Sequence, residues 1–114
     1  MTEDTIFAKI IRREIPADIV YEDDLCLAFH DINPIAPHHI LLIPKQPIVN
    51  LADVAISDQE LLGHLMIKAS EIAKQEGFGD AFRLISNNGA DAQQTVFHLH
   101  FHIIGGRSLQ WPPG

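Results

Sequence analysis

The sequence predicts an α+β fold: a five-stranded, mainly antiparallel sheet carrying one long and one short helix. Three observations carry that expectation. Five short runs are rich in β-branched, aliphatic and aromatic residues, one longer segment has an apolar stripe at helical spacing, and the elements lack the regular alternation of βαβ units. With 114 residues there is room for one core, so residues 1–114 are read as a single domain.

The short helix comes first. In DTIFAKIIRREIP, Ile6, Phe7, Ile10 and Ile11 recur at helical spacing behind Asp4 as N-cap, and Pro16 closes the segment. IVYED and LCLAFHDI are β-rich runs separated by Glu22, Asp23 and Asp24, which reads as a hairpin. NPIAPHH is a loop broken by prolines, and HILLIPK reads as a buried strand ended by Pro44. Ser57 and Glu60 form a capping-box pair ahead of Leu61, Leu65, Ala69, Ile72 and Ala73, the stripe of the long helix, which Gly77 and Gly79 stop. AFRLIS is the fourth strand, NNGADAQQT a polar loop and VFHLHFHII the fifth strand. The tail SLQWPPG holds the only tryptophan, is neither helix nor strand at its prolines, and is expected to pack on another surface.

Composition narrows the function. Eight Lys plus Arg against fifteen Asp plus Glu give a net charge of −7, which disfavours broad binding to nucleic acid or to an anionic membrane. Any phosphate must therefore be held locally. The start MTEDTIF lacks the basic and apolar regions of a signal peptide, and no apolar run approaches the roughly 20 residues that span a bilayer, so a cytoplasmic protein is expected. The single cysteine, Cys26, cannot form an internal disulfide and reads as a small buried hydrophobe rather than a reactive thiol.

The run FHLHFHII carries the chemistry. In a strand, His98, His100 and His102 share one face while Leu99, Phe101 and Ile103 share the other. Three imidazoles on an inner strand are costly to bury without partners, and Val or Thr would serve stability better. The outer pair begins roughly 13 Å apart at about 3.3 Å per residue, which makes three in a line a poor cage for one metal ion, although two of them with His39 could hold zinc. Catalysis suits the line better, since a central imidazole can attack while its neighbours orient it, bind charge and move protons.

The run from His98 to Ile104 resembles the histidine triad motif, His-x-His-x-His followed by apolar residues, and it follows an Asn-Gly loop. DTIFAKIIRREIPA, CLAFHDINPIAPHHILLIPK, LLGHLM and GGRSLQWPPG extend the likeness to nearly the whole chain, and all are similar to the histidine triad nucleotide-binding (HINT) branch of the HIT family. The resemblance implies a HIT-like fold whose sheet is joined across a homodimer, with the tail 105–114 packing at the interface and active site. It implies a purine nucleoside phosphoramidase that cleaves the P–N bond between AMP or GMP and an amine, and also hydrolyses aminoacyl adenylates, with no metal or redox cofactor.

Residue by residue, the resemblance makes His100 the nucleophile that forms a nucleotidyl-imidazole intermediate, later resolved by water. His102 would contact the phosphate, and His98 and His39 would fix the tautomer of His100. Asp31 would accept hydrogen bonds from the ribose hydroxyls. Ile6, Phe7, Ile10, Phe29, His30 and Ile32 would form the purine slot, with core packing an alternative for Ile10 and Phe29. Asn87 and Thr95 would hold the phosphate or leaving group, and Trp111 would either reach a partner's site to set leaving-group preference or only cover apolar surface at the interface. The chain departs from its relatives at Gln93, where they usually carry Gly, and Gln93 would instead bond the phosphate through its amide. A non-catalytic nucleotide-binding module and a structural zinc protein are the competing readings. The WPPG tail argues against the dinucleoside polyphosphate hydrolases and nucleotidylyltransferases of the same family.

Overall fold

The computed structural model describes residues 4–114. Helix α1 (Ile6–Ile11) is followed by strands β1 (Ile19–Glu22), β2 (Cys26–His30) and β3 (His38–Pro44), helix α2 (Gln59–Gln75), and strands β4 (Phe82–Ile85) and β5 (Phe101–Gly105). The strands form one sheet in the order β1-β2-β3-β5-β4, with every neighbouring pair antiparallel. The expected five-stranded α+β architecture is therefore present. Among the described residues no helix is long and apolar enough to cross a membrane.

Side-chain alternation divides this sheet into two unlike faces. Cys26 and Ala28 of β2, Ile40 and Leu42 of β3, and Phe101 and Ile103 of β5 pack beneath α2, whose Leu61, Leu65, Ala69, Ile72 and Ala73 form the predicted stripe. The intervening residues, Leu27, Phe29, Leu41 and Ile43, face the other way and meet Phe7 and Ile10 of α1. With six residues, α1 covers only part of that face.

Both helices end alike although their sequences differ. After α2, Phe78 N–H bonds Ala73 O at 2.9 Å and Gly77 N–H bonds Lys74 O at 3.1 Å, with Gly77 at φ +88°. After α1, Glu14 N–H bonds Lys9 O and Arg13 N–H bonds Ile10 O, with Arg13 at φ 63°. The first helix thus stops at Arg13, before Pro16.

Three further local expectations are corrected. Thr5, not Asp4, caps α1, because its hydroxyl accepts from Ala8 N–H at 3.1 Å while Asp4 pairs with Arg12 at 2.8 Å. The Ser57 capping box does not form; a 3-10 turn at Ile56–Asp58 leads into α2, and the Asp58 carboxylate instead accepts from Ala55 N–H at 2.9 Å. The fifth strand begins at Phe101, so His98 and His100 precede its ladder. Pro44, which the register would set opposite Leu99, has no N–H, its carbonyl accepts from the His98 ring, and Leu99 N–H turns to Ile48 O.

Candidate active site

The half-covered face carries the histidines. His39 of β3 sits beside Ile104 of β5, and the next row across the sheet runs Phe29, Leu41, His102 and Ile85. His100 lies just ahead of β5, and the edge of the Phe7 ring meets it at a centroid distance of 5.0 Å. Between α1, the β2–β3 loop and these histidines opens a cleft of about 500 Å³. A larger groove, about 730 Å³, lies between the end of α2 and the C-terminal segment, but it holds no histidine.

Hydrogen bonds assign the ring protons one after another. His100 Nδ1 lies 2.7 Å from the carbonyl oxygen of His98, and a carbonyl only accepts, so Nδ1 carries the proton and Nε2 keeps its lone pair. By the same logic His98 donates its Nε2–H to Pro44 O at 2.8 Å. His39 Nδ1 accepts from Ile35 N–H at 3.1 Å, which puts its proton on Nε2, 2.9 Å from Nδ1 of His102 and 3.3 Å from Oδ2 of Asp31. His102 then accepts at Nδ1 and carries its own proton at Nε2.

This assignment requires neutral rings, and burial enforces it. Desolvation lowers the pKa of His39, His98 and His100, partly opposed by the Asp31 carboxylate at His39 and His100 and by the Pro44 carbonyl at His98. For His102, burial and the neighbouring His100 and His39 together bring it down to about 4. The arrangement therefore presents, near neutral pH, one imidazole lone pair and one imidazole N–H side by side, their ring centroids 5.1 Å apart.

Most of the residues singled out in the sequence meet at this cleft. Ile6, Phe7 and Ile10 come from α1, Phe29 and His30 from β2, and Asp31 and Ile32 from the following loop. His39, Thr95, His100 and His102 complete that set. Ile32, 89% exposed, stands with Ile6 and Ile35 as an uncovered apolar rim, a suitable edge for a flat ring. One carboxylate oxygen of Asp31 accepts from Asn33 N–H at 2.8 Å, which holds the group at the cleft.

Four residues do not line the cleft. His98 is 3% exposed and lies beneath it, and the tautomer of His100 is set by the backbone carbonyl of His98 rather than by its ring. His39 bonds His102, not His100. Asn87 and Gln93 lie in the loop beyond the lining, and Trp111 is 82% exposed within one chain. The tail contacts the chain through Gln110 O, which accepts from Arg83 at 2.9 Å.

Sequence reading passed over Gln94, which organises the loop. Its Oε1 accepts from Asn50 Nδ2 and Gly89 N–H, and its Nε2 donates to the carbonyls of Val49 and Val96, all within 2.7–3.1 Å. At 2% exposure with every partner satisfied, it fixes the approach to Thr95. A polar residue inside a polar loop gives no periodic signal, so only the structure reveals it.

Two groups place three potential metal donors within 4.8 Å of one another: Asp31, His39 and His102 in the cleft, and Asp23, Cys26 and His64 between the β1–β2 hairpin and α2. In the first, His39 and His102 spend their facing nitrogens on each other, so we read it as a proton chain. In the second, the Asp23 carboxylate already accepts from Tyr21, His64 and two backbone N–H groups, a structural hub tying the hairpin to the helix.

The comparisons agree with this geometry. The HIT domain profile matches residues 12–109. A HIT-like protein of Synechocystis sp. is 66% identical over 114 residues, covering both chains in full. The crystal structure of a HIT family hydrolase from Legionella pneumophila superposes with a TM-score of 0.93 at 45% identity, covering 96% of this chain and 98% of that one. A histidine triad nucleotide-binding protein from Candida albicans superposes with a TM-score of 0.81 at 30% identity, covering 95% and 82%. Sequence and fold thus converge along nearly the whole length: the chain belongs to the HIT domain family.

Proposed function

We propose that the protein is a purine nucleoside phosphoramidase, hydrolysing the P–N bond of adenosine or guanosine 5′-phosphoramidates and the acyl-phosphate bond of aminoacyl adenylates. The observation that carries the reading is the His100 Nδ1–H bond to His98 O, which leaves Nε2 unprotonated at a cleft of nucleotide size. Its relatives, a hydrolase and a nucleotide-binding protein by description, support the same class.

In this reading Nε2 of His100 attacks the α-phosphorus, an N–P bond forms, and the P–N bond breaks with its electron pair leaving on the amine, which takes up a proton. The ring becomes a phosphorylated imidazolium, and its Nδ1–H bond to a carbonyl strengthens as that charge develops. The Nε2–H of His102 is a neutral donor for a phosphoryl oxygen. Water then attacks phosphorus, releases the nucleoside monophosphate and restores His100. Asp31 takes the ribose hydroxyls, and the apolar rim at Ile6 and Ile32 takes the purine face. Thr95 contributes its hydroxyl at the phosphate, with Asn87 and Gln93 acting from the loop behind it.

We extend the proposal to a homodimer whose sheets join and whose tail, carrying Trp111, reaches the partner's cleft. The exposure of Trp111 and of Ile67 on α2 supports a covering surface. Sedimentation should then give twice the 12.7 kDa chain mass.

Amine release from a fluorogenic adenosine phosphoramidate, measured on chelator-treated protein, tests the activity, and intact-mass detection of an AMP adduct on His100 tests the route. Turnover with the adduct is expected. Tight AMP binding without amine release would instead identify a binding module.

A further inference from the structure

The β2–β3 loop decides where the protons of the histidine chain lie, and the C-terminal segment holds that loop. His39 keeps its proton at Nε2 because Ile35 N–H points at Nδ1. Ile35 sits in an irregular stretch between β2 and β3, and its side chain is largely exposed, so neither a strand ladder nor core packing fixes this amide.

What fixes it is Arg107. Its Nε and Nη2 both donate to Ile35 O, at 3.3 and 3.1 Å, while Nη1 donates to Ser108 O at 3.0 Å. The guanidinium thus clamps its own chain to a loop 72 residues away. Gly106 makes the reach possible. At φ +90° it turns the backbone after β5, and a Cβ there would lie 2.9 Å from Pro37 Cβ and 3.0 Å from His38 Cδ2.

We infer that Arg107 is a positioning residue: through Ile35 it orients His39, and through His39 the His102 N–H that meets the substrate phosphate. The inference rests on the phosphoramidase reading for its kinetic consequence, and on geometry alone for the position of His39. Arg107 itself neither lines the cleft nor bonds a histidine, and it reaches both through Ile35, whose amide meets His39 and whose side chain sits on the cleft rim. Asp31 lies on the other side of the same ring, 3.3 Å from Nε2, so in the absence of Arg107 the ring should stay in the site and lose only the Ile35 contact at Nδ1.

The test compares the full-length chain with Arg107→Ala and Arg107→Lys at neutral pH. Long-range ¹H–¹⁵N spectra report His39 Nδ1, amide exchange reports Ile35, and phosphoramidate turnover reports kcat and KM separately. In Arg107→Ala the Nδ1 resonance should move toward that of a free lone pair and the Ile35 amide should exchange about tenfold faster. Turnover should fall about tenfold in kcat, with a smaller rise in KM from the loosened Ile35 rim. Arg107→Lys, which still donates to Ile35 O, should restore the spectrum and most of the rate. An unchanged His39 spectrum in Arg107→Ala would overturn the inference. Absence of turnover in the unaltered protein would overturn only the phosphoramidase reading, leaving the spectra to decide the role of Arg107.

Discussion

The same strands build two different faces, and the contrast separates stability from chemistry. Beneath α2, Cys26 and Ala28 of β2, Ile40 and Leu42 of β3, and Phe101 and Ile103 of β5 form apolar rows closed by a seventeen-residue helix, and burial pushes the Cys26 thiol up to about 12. On the opposite face a six-residue helix leaves the rows nearest His39 and His102 uncovered, and four imidazoles occupy the space. One residue of shift along β3 or β5 crosses from the first regime to the second. Long-helix coverage supplies hydrophobic stabilisation, and short-helix coverage leaves room for a substrate while still drying the rings enough to keep them neutral.

Two truncations should break the contrast apart most widely. Replacing His100 by Ala removes the proposed nucleophile and is expected to lower phosphoramidate turnover on the order of 10⁴-fold while the urea midpoint moves little. Leu65→Ala, at a fully buried position on the sheet-facing side of α2, should do the reverse, costing about 3 kcal/mol in urea unfolding while the folded fraction keeps its kcat. If both variants lost activity and stability together, the two faces would not be separable.

Between pH 7 and 5 acid should act mainly on the cleft face, since the Asp23 carboxylate on the α2 side is held below the usual carboxylate range. The folded chain holds His39, His98, His100 and His102 below the ordinary imidazole value of about 6.5, so between that value and the folded ones the unfolded chain binds more protons. Stability is therefore complete above about pH 6.5 and declines as pH falls below it. For His102, brought down to about 4, the loss by that pH is on the order of 2–3 kcal/mol. Urea titrations at pH 7, 6 and 5 check the slope, and a flat series would show that the rings titrate alike in both states. If His100 is the nucleophile, turnover should hold from pH 8 to below 6.5 and fall only as pH drops through the lowered pKa of its buried ring.

The two faces also differ in how openly the sequence declares them. The α2 stripe of Leu61, Leu65, Ala69, Ile72 and Ala73 is legible because burial against a sheet demands the helical period. The alternation of Leu99, Phe101 and Ile103 against three histidines is legible for the same reason. The site's fine structure is not periodic. That His98 acts through its carbonyl, that His39 bonds His102, and that Gln94 and Arg107 hold loops depend on contacts between residues 44 to 72 positions apart, or on backbone atoms that every residue shares. Likewise, a competing acceptor decided the start of α1, Thr5 over Asp4, while at α2 the Asp58 carboxylate turns back to Ala55 N–H, and propensity ranks all of Asp4, Thr5, Ser57 and Asp58 as good caps.

Gln93 offers the finest test. It adopts φ 70°, ψ 29°, the left-handed region that glycine enters freely and that costs other residues roughly 1 kcal/mol. The expectation of a glycine-like position is thus met by geometry with a side chain that pays in strain. Gln93→Gly relieves that strain but enlarges the freedom of the unfolded chain, so the net gain should be only about 0.5 kcal/mol. Arg13, at φ 63° after α1, is the control on the same backbone conformation far from the loop. Arg13→Gly should change stability by a similarly small amount, less the exposed ion pair to Glu22, and leave turnover untouched. Gln93 adjoins Gln94, whose four bonds set the approach to Thr95, so Gln93→Gly should shift kcat severalfold if the loop holds phosphate. Equal, unmoved kinetics in both variants would place Gln93 among the residues that only turn the chain.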